Sequence, residues 1–128
     1  MPNIAAFSLL VEDYDDAIQF FTQALNFKLV EDTDLGEGKR WVIVRPKGEQ
    51  GSDVILAKAS DSDQKKLVGK QMGGRVGFFL HTDDFERDYQ HMQKEGVRFL
   101  EEPRYEVYGT VAVFEDLYGN TWDLLEPK

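Results

Sequence analysis

The chain has 128 residues, of which 41% are hydrophobic and 30% are charged, a balance typical of one globular domain. Its 24 acidic and 15 basic side chains give a net charge of −9, which disfavours nucleic acid and anionic membrane surfaces as partners. The absence of cysteine excludes disulfides, thiolate zinc sites and iron–sulfur clusters. Because the N-terminal stretch MPNIAAFSLLVED has neither a basic leader nor a membrane-length apolar run, we predict a cytoplasmic location and no membrane association.

The first half predicts a strand, a helix and three further strands. Asp13, followed by Asp16, is typical of an acidic helix start, and apolar residues then recur at helical spacing. Turn-rich segments at 34–39 and 47–52 separate the later strands, so the acidic residues Glu31, Asp32, Asp34 and Glu37 are interpreted as a solvated turn. The predicted elements are a strand at 4–11, a helix at 14–25 and strands at 27–31, 41–44 and 54–57.

The second half repeats this order. Asp13 corresponds to Asp84, 71 positions later, and Phe27 to Val97, 70 positions later, so the halves keep register apart from a one-residue adjustment inside or after the helix. The predicted elements are a strand at 76–82, a helix at 84–95 and strands near 97–101, 110–115 and 120–125. We therefore predict an α+β fold: two βαβββ modules form a curved, cup-like mixed sheet with the helices outside. The single domain divides into module one at 1–58, a linker at 59–74 that can hold a short helix, and module two at 75–128.

Strand alternation predicts which residues line the cup. In each first strand the bulkier face belongs under the helix and the smaller one remains free, and in the last strand Asp123 is an unexpected polar residue on the free side. A concave face with a few convergent polar groups is the usual small-molecule pocket. The candidate ligand-binding residues are Ser8, Trp41, Arg75, Phe79, His81, Arg104, Tyr105, Tyr108 and Asp123.

Several of these residues have a structural alternative. Trp41, Tyr105 and Tyr108 can stack on a planar ligand or serve as core or dimer contacts. Arg104 can clamp a ligand carboxylate or pair with Glu101 or Glu102. Asp123 is the candidate catalytic residue, as a general base with a raised pKa, or else a solvated or arginine-paired carboxylate. His81 precedes a helix start, which favours a hydrogen bond to local backbone.

With both halves placed, the sequence resembles the vicinal oxygen chelate superfamily, which includes glyoxalase I, bleomycin and fosfomycin resistance proteins and extradiol dioxygenases. The matching segments are LLVEDYDDAIQFFTQALNFKLVED, GVRFLEEP and VAVFEDLYGNTWDLLEP. The resemblance implies four metal-ligand positions, on the first and last strand of each half. Here those positions fall on Ala6, on Leu56 or Ile55, on Gly77 and on Asp123.

Only Asp123 of these offers a ligand atom, whereas a protein-bound divalent ion needs three or four. The resemblance therefore favours a metal-independent, bleomycin-resistance-type protein that binds a small molecule without a cofactor and acts as a homodimer. The alternatives are a glyoxalase-like lyase or other enzyme with a nonstandard metal site, and an interaction module whose cup is a dimer interface.

Overall fold

The computed structural model describes residues 1–48 and 50–128, so Glu49, within the predicted turn 47–52, lies outside the described residues. The chain divides into two compact units, Met1–Val68 and Gly69–Lys128. None of the helices in the described part of the chain is long and apolar enough to cross a membrane.

The first unit contains one four-stranded mixed sheet with the order β1-β4-β3-β2, in which β1 and β4 are parallel and the other pairs antiparallel. Its main helix begins after Asp13, whose carboxylate accepts a hydrogen bond from the backbone N–H of Asp16 at 2.8 Å. The elements are β1 (Ala6–Val11), α1 (Tyr14–Gln19), a π-helical turn (Phe20–Ala24), β2 (Lys28–Gly36), β3 (Lys39–Arg45), β4 (Asp53–Lys58) and the short α2 (Ser62–Leu67) inside the predicted linker.

The second unit repeats this sheet with the order β5-β8-β7-β6, again with one parallel pair, β5 and β8. Asp84 caps its helix as Asp13 does in the first unit, accepting a hydrogen bond from the N–H of Arg87 at 3.1 Å. The elements are β5 (Val76–His81), α3 (Phe85–Lys94), β6 (Arg104–Glu106), β7 (Gly109–Glu115) and β8 (Thr121–Pro127). The prediction of two βαβββ units with an α+β fold is confirmed.

The π-helical turn accounts for the one-residue adjustment between the halves. Phe21 and Met92 are corresponding buried residues. The N–H of Phe27 donates to the carbonyl of Phe21, six residues back, whereas the N–H of Val97 donates to the carbonyl of Met92, five back. The wider turn at Phe20–Ala24 therefore holds the extra residue, while the strands on either side of the helix keep their register.

Two sequence predictions are wrong in their details. The strand predicted near 97–101 forms only a single bridge, Phe99 with Phe114. The ladder ends there because the carboxylate of Glu101, rather than a backbone carbonyl, accepts the hydrogen bond from the N–H of Val113 at 3.0 Å, and β6 follows instead at 104–106.

The second correction concerns the acidic segment of the first unit. Glu31, Asp32 and Asp34 lie in β2 rather than in a turn. The turn is confined to Glu37 and Gly38, both with positive φ, 56° and 79°, as a tight hairpin requires. Asp32 pairs with Arg40 of β3 at 2.7 Å, and this hydrogen bond lowers the pKa of its carboxyl.

Candidate functional site

Each sheet has one face covered by its helix, and we call the opposite one the free face. In the second unit an aromatic chain defines the covered face, because the ring centroids of Tyr89, Phe99, Phe114 and Trp122 follow one another at 4.6, 5.6 and 5.8 Å from α3 to β8. Strand alternation then places the neighbours of Trp122 on the free face. Asp123 is therefore a free-face residue, as predicted from the sequence.

Asp123 lies in the middle of the free face of the second unit. It is half-buried and pairs across the sheet with Phe79 of β5 on one side and Val113 of β7 on the other. Burial between these apolar neighbours raises the pKa of the Asp123 carboxyl; Arg104 lowers it and Glu101 raises it. Phe79 remains 63% exposed. A carboxylate that is partly desolvated and an open aromatic ring thus lie side by side.

Arg104 of β6 occupies the free face through its pairing with Val111. Its Nε donates to both carboxylate oxygens of Glu101, at 3.0 and 3.1 Å, and Glu106 lies 3.7 Å from its guanidinium. The hydrogen bonds to Glu101 and to Tyr108 raise the pKa of Arg104 further above its already high ordinary value. Of the two sequence interpretations of Arg104, the structure shows the ion pair with Glu101.

Of the other predicted residues of the second unit, two lie at the free face and one precedes β5. His81 is exposed, pairs with Leu125 and shares the free face with Asp123. Tyr108 reaches that face through Arg104. Arg75 precedes β5, where its carbonyl accepts a hydrogen bond from the hydroxyl of Thr121 at 2.8 Å. Ligand contact by these three residues stays a prediction.

Tyr105 alternates onto the covered side of β6 and is 81% exposed. Burial raises the pKa of Tyr89 on α3, and the nearby Glu102, Glu86 and Tyr105 raise it further, which places Tyr105 near the helix. It does not share the free face with Asp123.

Ser8 and Trp41 belong to the first unit. Ser8 is exposed on β1 and pairs with Ile55 of β4, and Trp41 is 40% exposed on β3, where it alternates with the buried Val42. Both therefore lie on the free face of the first sheet. For Ser8 this is the face that strand alternation predicted, whereas the sequence left the face of Trp41 open. Their contact with a ligand stays a prediction.

A buried carboxylate that sequence reasoning missed holds the turn between β7 and β8. Asp116 is 6% exposed and accepts four hydrogen bonds, all within 3.0 Å. The donors are the N–H of Tyr118, the N–H and side-chain amide of Asn120, and the indole N–H of Trp122. Its position in the segment FEDLYGN was visible in the sequence, but the convergence of four donors on one carboxylate was not. Asp116 anchors Trp122 directly beside Asp123.

The comparisons with known proteins agree with this geometry. Residues 3–124 match the model of the Glyoxalase/Bleomycin resistance protein/Dioxygenase superfamily. The chain belongs to this superfamily. It is 53% identical to an uncharacterized protein of Shewanella frigidimarina (strain NCIMB 400), over 97% of this chain and 93% of that protein.

Two solved structures are also similar to the chain. UcmS2 superposes with a TM-score of 0.84 at 30% identity and covers 98% of each chain. TnmS3, an antibiotic binding protein from Streptomyces sp. CB03234, superposes with a TM-score of 0.79 at 28% identity and covers 100% of this chain and 98% of its own.

Strand register identifies the position that corresponds to Asp123 in the first unit. Phe79 corresponds to Ser8, and their partners are Asp123 and Ile55 respectively, so the ligand position left open in the sequence falls on Ile55. Leu56, the alternative, is only 1% exposed on the covered face.

Of the four metal-ligand positions that the resemblance implies, Ala6, Ile55 and Gly77 carry no side-chain donor atom. Within residues 1–48 and 50–128, no three His, Asp or Glu side chains form a group able to hold a metal ion. The residues present do not fit a divalent cation.

Proposed function

We propose that this chain is a metal-independent small-molecule binding protein of the bleomycin-resistance type, and that its ligand is a planar aromatic compound held on the free face of the second unit. The observation that carries the proposal is the pairing of the exposed Phe79 ring with the half-buried Asp123 carboxylate. An aromatic ring supplies stacking area, and a partly desolvated carboxylate supplies one strong, directional acceptor.

The electrostatics of the free face favour a ligand that donates to Asp123. Arg104 is engaged by Glu101 and Glu106, so its positive charge is already paired with carboxylates and does not favour an anionic ligand. An ionised Asp123 between apolar neighbours gains most from a protonated nitrogen or another strong donor. The similarity to TnmS3, an antibiotic binding protein, supports binding rather than turnover as the role of this face.

The proposal is tested with two planar probes of opposite charge, 9-aminoacridine as a cation and anthraquinone-2-sulfonate as an anion. We expect 9-aminoacridine to bind more tightly by fluorescence titration, and Phe79→Ala to weaken its binding about twofold to tenfold, because one aromatic contact contributes about 0.5–1.5 kcal/mol. Tyr105→Ala is the matched control, since Tyr105 is an exposed aromatic residue of the same sheet on the other face. Equal losses of affinity in both variants would argue against the free face as the binding site. They would instead support the sequence-based prediction that Tyr105 contacts the ligand.

Metal independence is tested on the same preparation. Binding of 9-aminoacridine should be unchanged after EDTA treatment, and elemental analysis should find no divalent metal at a molar equivalent. Stoichiometric Ni, Zn, Fe or Mn would overturn this part of the proposal.

A glyoxalase-like lyase is the second candidate function, and the raised pKa of Asp123 is the observation that favours it, because a general base works best with a pKa near the operating pH. The assay is formation of lactoylglutathione from methylglyoxal and glutathione, with and without added Ni²⁺. Turnover that Asp123→Asn abolishes would favour the lyase; the binding proposal predicts none.

We further propose a cytoplasmic homodimer. All nine residues of the edge strand β2 are exposed, including Leu29, Val30 and Leu35, and an exposed edge of this kind favours association. Light scattering at several protein concentrations tests it, and a mass that stays near 14.7 kDa would refute it.

A further inference from the structure

The loop before β5 turns sharply and returns over the start of that strand. Gly73 and Gly74 have left-handed φ values of 65° and 90°, which non-glycine residues rarely adopt. The N–H of Gly73 donates to the carbonyl of Lys70 at 3.0 Å, and the N–H of Arg75 donates to that of Met72 at 3.3 Å. These two turns direct Met72 back toward the strand it precedes.

Met72 occupies the space that a side chain at position 77 would need. A Cβ atom built on Gly77 would lie 2.1 Å from Cγ of Met72, 3.0 Å from its Cβ and 3.3 Å from its Sδ. The nearest of these atoms are close to the Met72 backbone, so rotation of the thioether end does not relieve the overlap. Gly77 therefore allows Met72 to lie against β5, and any larger residue there displaces it.

The contact lies on the free face. The register of β5 shifts between Val76, which pairs with Thr121, and Phe78, which pairs with the covered Trp122, so Gly77 stands at the bulge, next to a covered residue and on the opposite face from it. Phe79 follows Gly77 by two residues on the same strand and so projects from the same face. Met72 lies against Gly77, two residues before Phe79 on β5, and is 46% exposed, so it remains available for contact on the face from which Phe79 projects.

We propose that Met72 is a specificity-determining contact of the ligand-binding face, placed there by Gly77 as its positioning residue. This inference rests on the proposed function and identifies the apolar group that meets the ligand beside Phe79. A flexible, polarisable thioether adapts to aromatic ligands of different outline and makes favourable contacts with their ring edges. The resemblance also implies a metal-ligand position at Gly77. Here the space that a metal-coordinating side chain would need is filled by the side chain of Met72.

The methionines offer a direct readout. The chain has three: Met1 is fully exposed, Met92 is 2% exposed in the core, and Met72 lies at the face. In protein labelled with ¹³C at the methionine methyl groups, 9-aminoacridine should shift the Met72 signal and leave the Met92 signal in place. Met92 is thus an internal control for unspecific unfolding.

Binding measurements then separate contact from position. Met72→Ala should weaken 9-aminoacridine binding about threefold to tenfold, as expected for a sulfur–aromatic contact, and Met72→Leu less. Leu117→Ala is the matched control, because Leu117 is 44% exposed in a turn of the same unit, and it should bind as the wild type does.

Gly77→Ala should shift the Met72 methyl signal without ligand and weaken binding as Met72→Ala does. The double variant should lose no more than either single one, because both act through one side chain.

Two results would overturn the inference and they are distinguishable. If 9-aminoacridine binding depends on Phe79 but neither the Met72 signal nor the Met72→Ala affinity changes, Met72 is not a ligand contact and the proposed function stands. If neither planar probe binds the wild-type chain, the proposed function fails and the role of Met72 fails with it.

Discussion

The two sheets share their strand order and pairing, yet their free faces carry different side chains. At corresponding positions Ser8 pairs with Ile55 in the first unit and Phe79 pairs with Asp123 in the second. At these positions the first face therefore carries a hydroxyl and an aliphatic side chain, where the second carries an aromatic ring and a carboxylate. A duplicated fold thus presents two different surfaces on the same backbone frame.

The covered faces differ far less. Leu9 pairs with Leu56 in the first unit, and Leu80 pairs with Leu124 in the second. Each unit must bury the face under its own helix, so the same residue type satisfies both positions. Packing therefore fixes the covered residues, whereas the free residues can diverge between the two units.

The largest expected difference in stability between the units lies in the segment that connects the third strand of each unit to the fourth. In the second unit the buried Asp116 holds four donors. Asp116→Asn replaces one acceptor oxygen by a donor amide, which leaves buried N–H groups unsatisfied. We expect the free energy of unfolding to fall by about 3 kcal/mol in urea titration, since each such group costs about 1–3 kcal/mol. A loss below about 1 kcal/mol would show that water replaces the carboxylate, and the turn would then be no special feature of the second unit.

The sequence predicts features that depend on local patterns and fails where a feature depends on a tertiary contact. Helix caps at Asp13 and Asp84 and the alternation that buries Leu9 and Trp122 are local patterns, so they predicted both βαβββ units and the free-face position of Asp123. The strand at 97–101 failed because the Glu101 side chain, a tertiary contact, ends the ladder.

Two important residues gave no local signal at all. Met72 stands in a segment interpreted only as a linker, and its role depends on the space above Gly77. Asp116 stands in a segment that resembles the superfamily, but its burial and its four hydrogen-bond donors depend on how the β7–β8 turn folds back. Space and burial arise from several segments together, and no spacing pattern along the chain encodes them.

The second prediction sharpens the contrast between Ile55 and Asp123. Burial raises the folded-state pKa of Asp123 above its ordinary value of 3.8, so the folded state binds its proton more tightly than the unfolded state does. Stability from this group is therefore present at low pH and is lost as the pH rises through the folded pKa. Asp123→Asn should raise the Tm by a few degrees at pH 7 and have no such effect below pH 3.8.

The same substitution should weaken 9-aminoacridine binding at pH 7, and acidification should weaken binding to the wild type in the same way. A residue that costs stability while it supports binding is typical of a functional site. If Asp123→Asn lowers the Tm at pH 7, the carboxylate is a structural group like Asp116.

The third prediction addresses the π-helical turn of the first unit. Deleting Gln23, an exposed residue of that turn, should convert Phe20–Ala24 to regular helix and match the spacing of the second unit. We expect a stability change of about 1 kcal/mol or less by urea titration, small for a deletion. Deleting Gln90 from the regular α3 is the control and should be far more harmful, because it rotates the following buried Met92 by about 100°. Equal damage in both would refute the assignment of the extra residue to the turn.

The smallest expected effect concerns the ion pair that joins the third and fourth strands of the first unit. There Arg45 and Asp53 join the ends of β3 and β4 through two hydrogen bonds of 2.7 and 2.9 Å, but their side chains are 39% and 19% exposed. Because water screens this pair, Asp53→Asn should cost only about 0.5 kcal/mol, less in 1 M salt.

The bond to Arg45 lowers the folded pKa of Asp53, so its contribution to stability is present above the ordinary value of 3.8 and is lost as the pH falls through the folded pKa. The stability difference between wild type and Asp53→Asn should accordingly shrink on acidification, because protonation of Asp53 removes a stabilising ion pair. The difference between wild type and Asp123→Asn should also shrink on acidification, but there protonation removes a destabilising buried charge. A cost at Asp53 as large as that at Asp116 would mean that both strand ends depend on a buried acid, and the contrast between the two units would then be confined to their free faces.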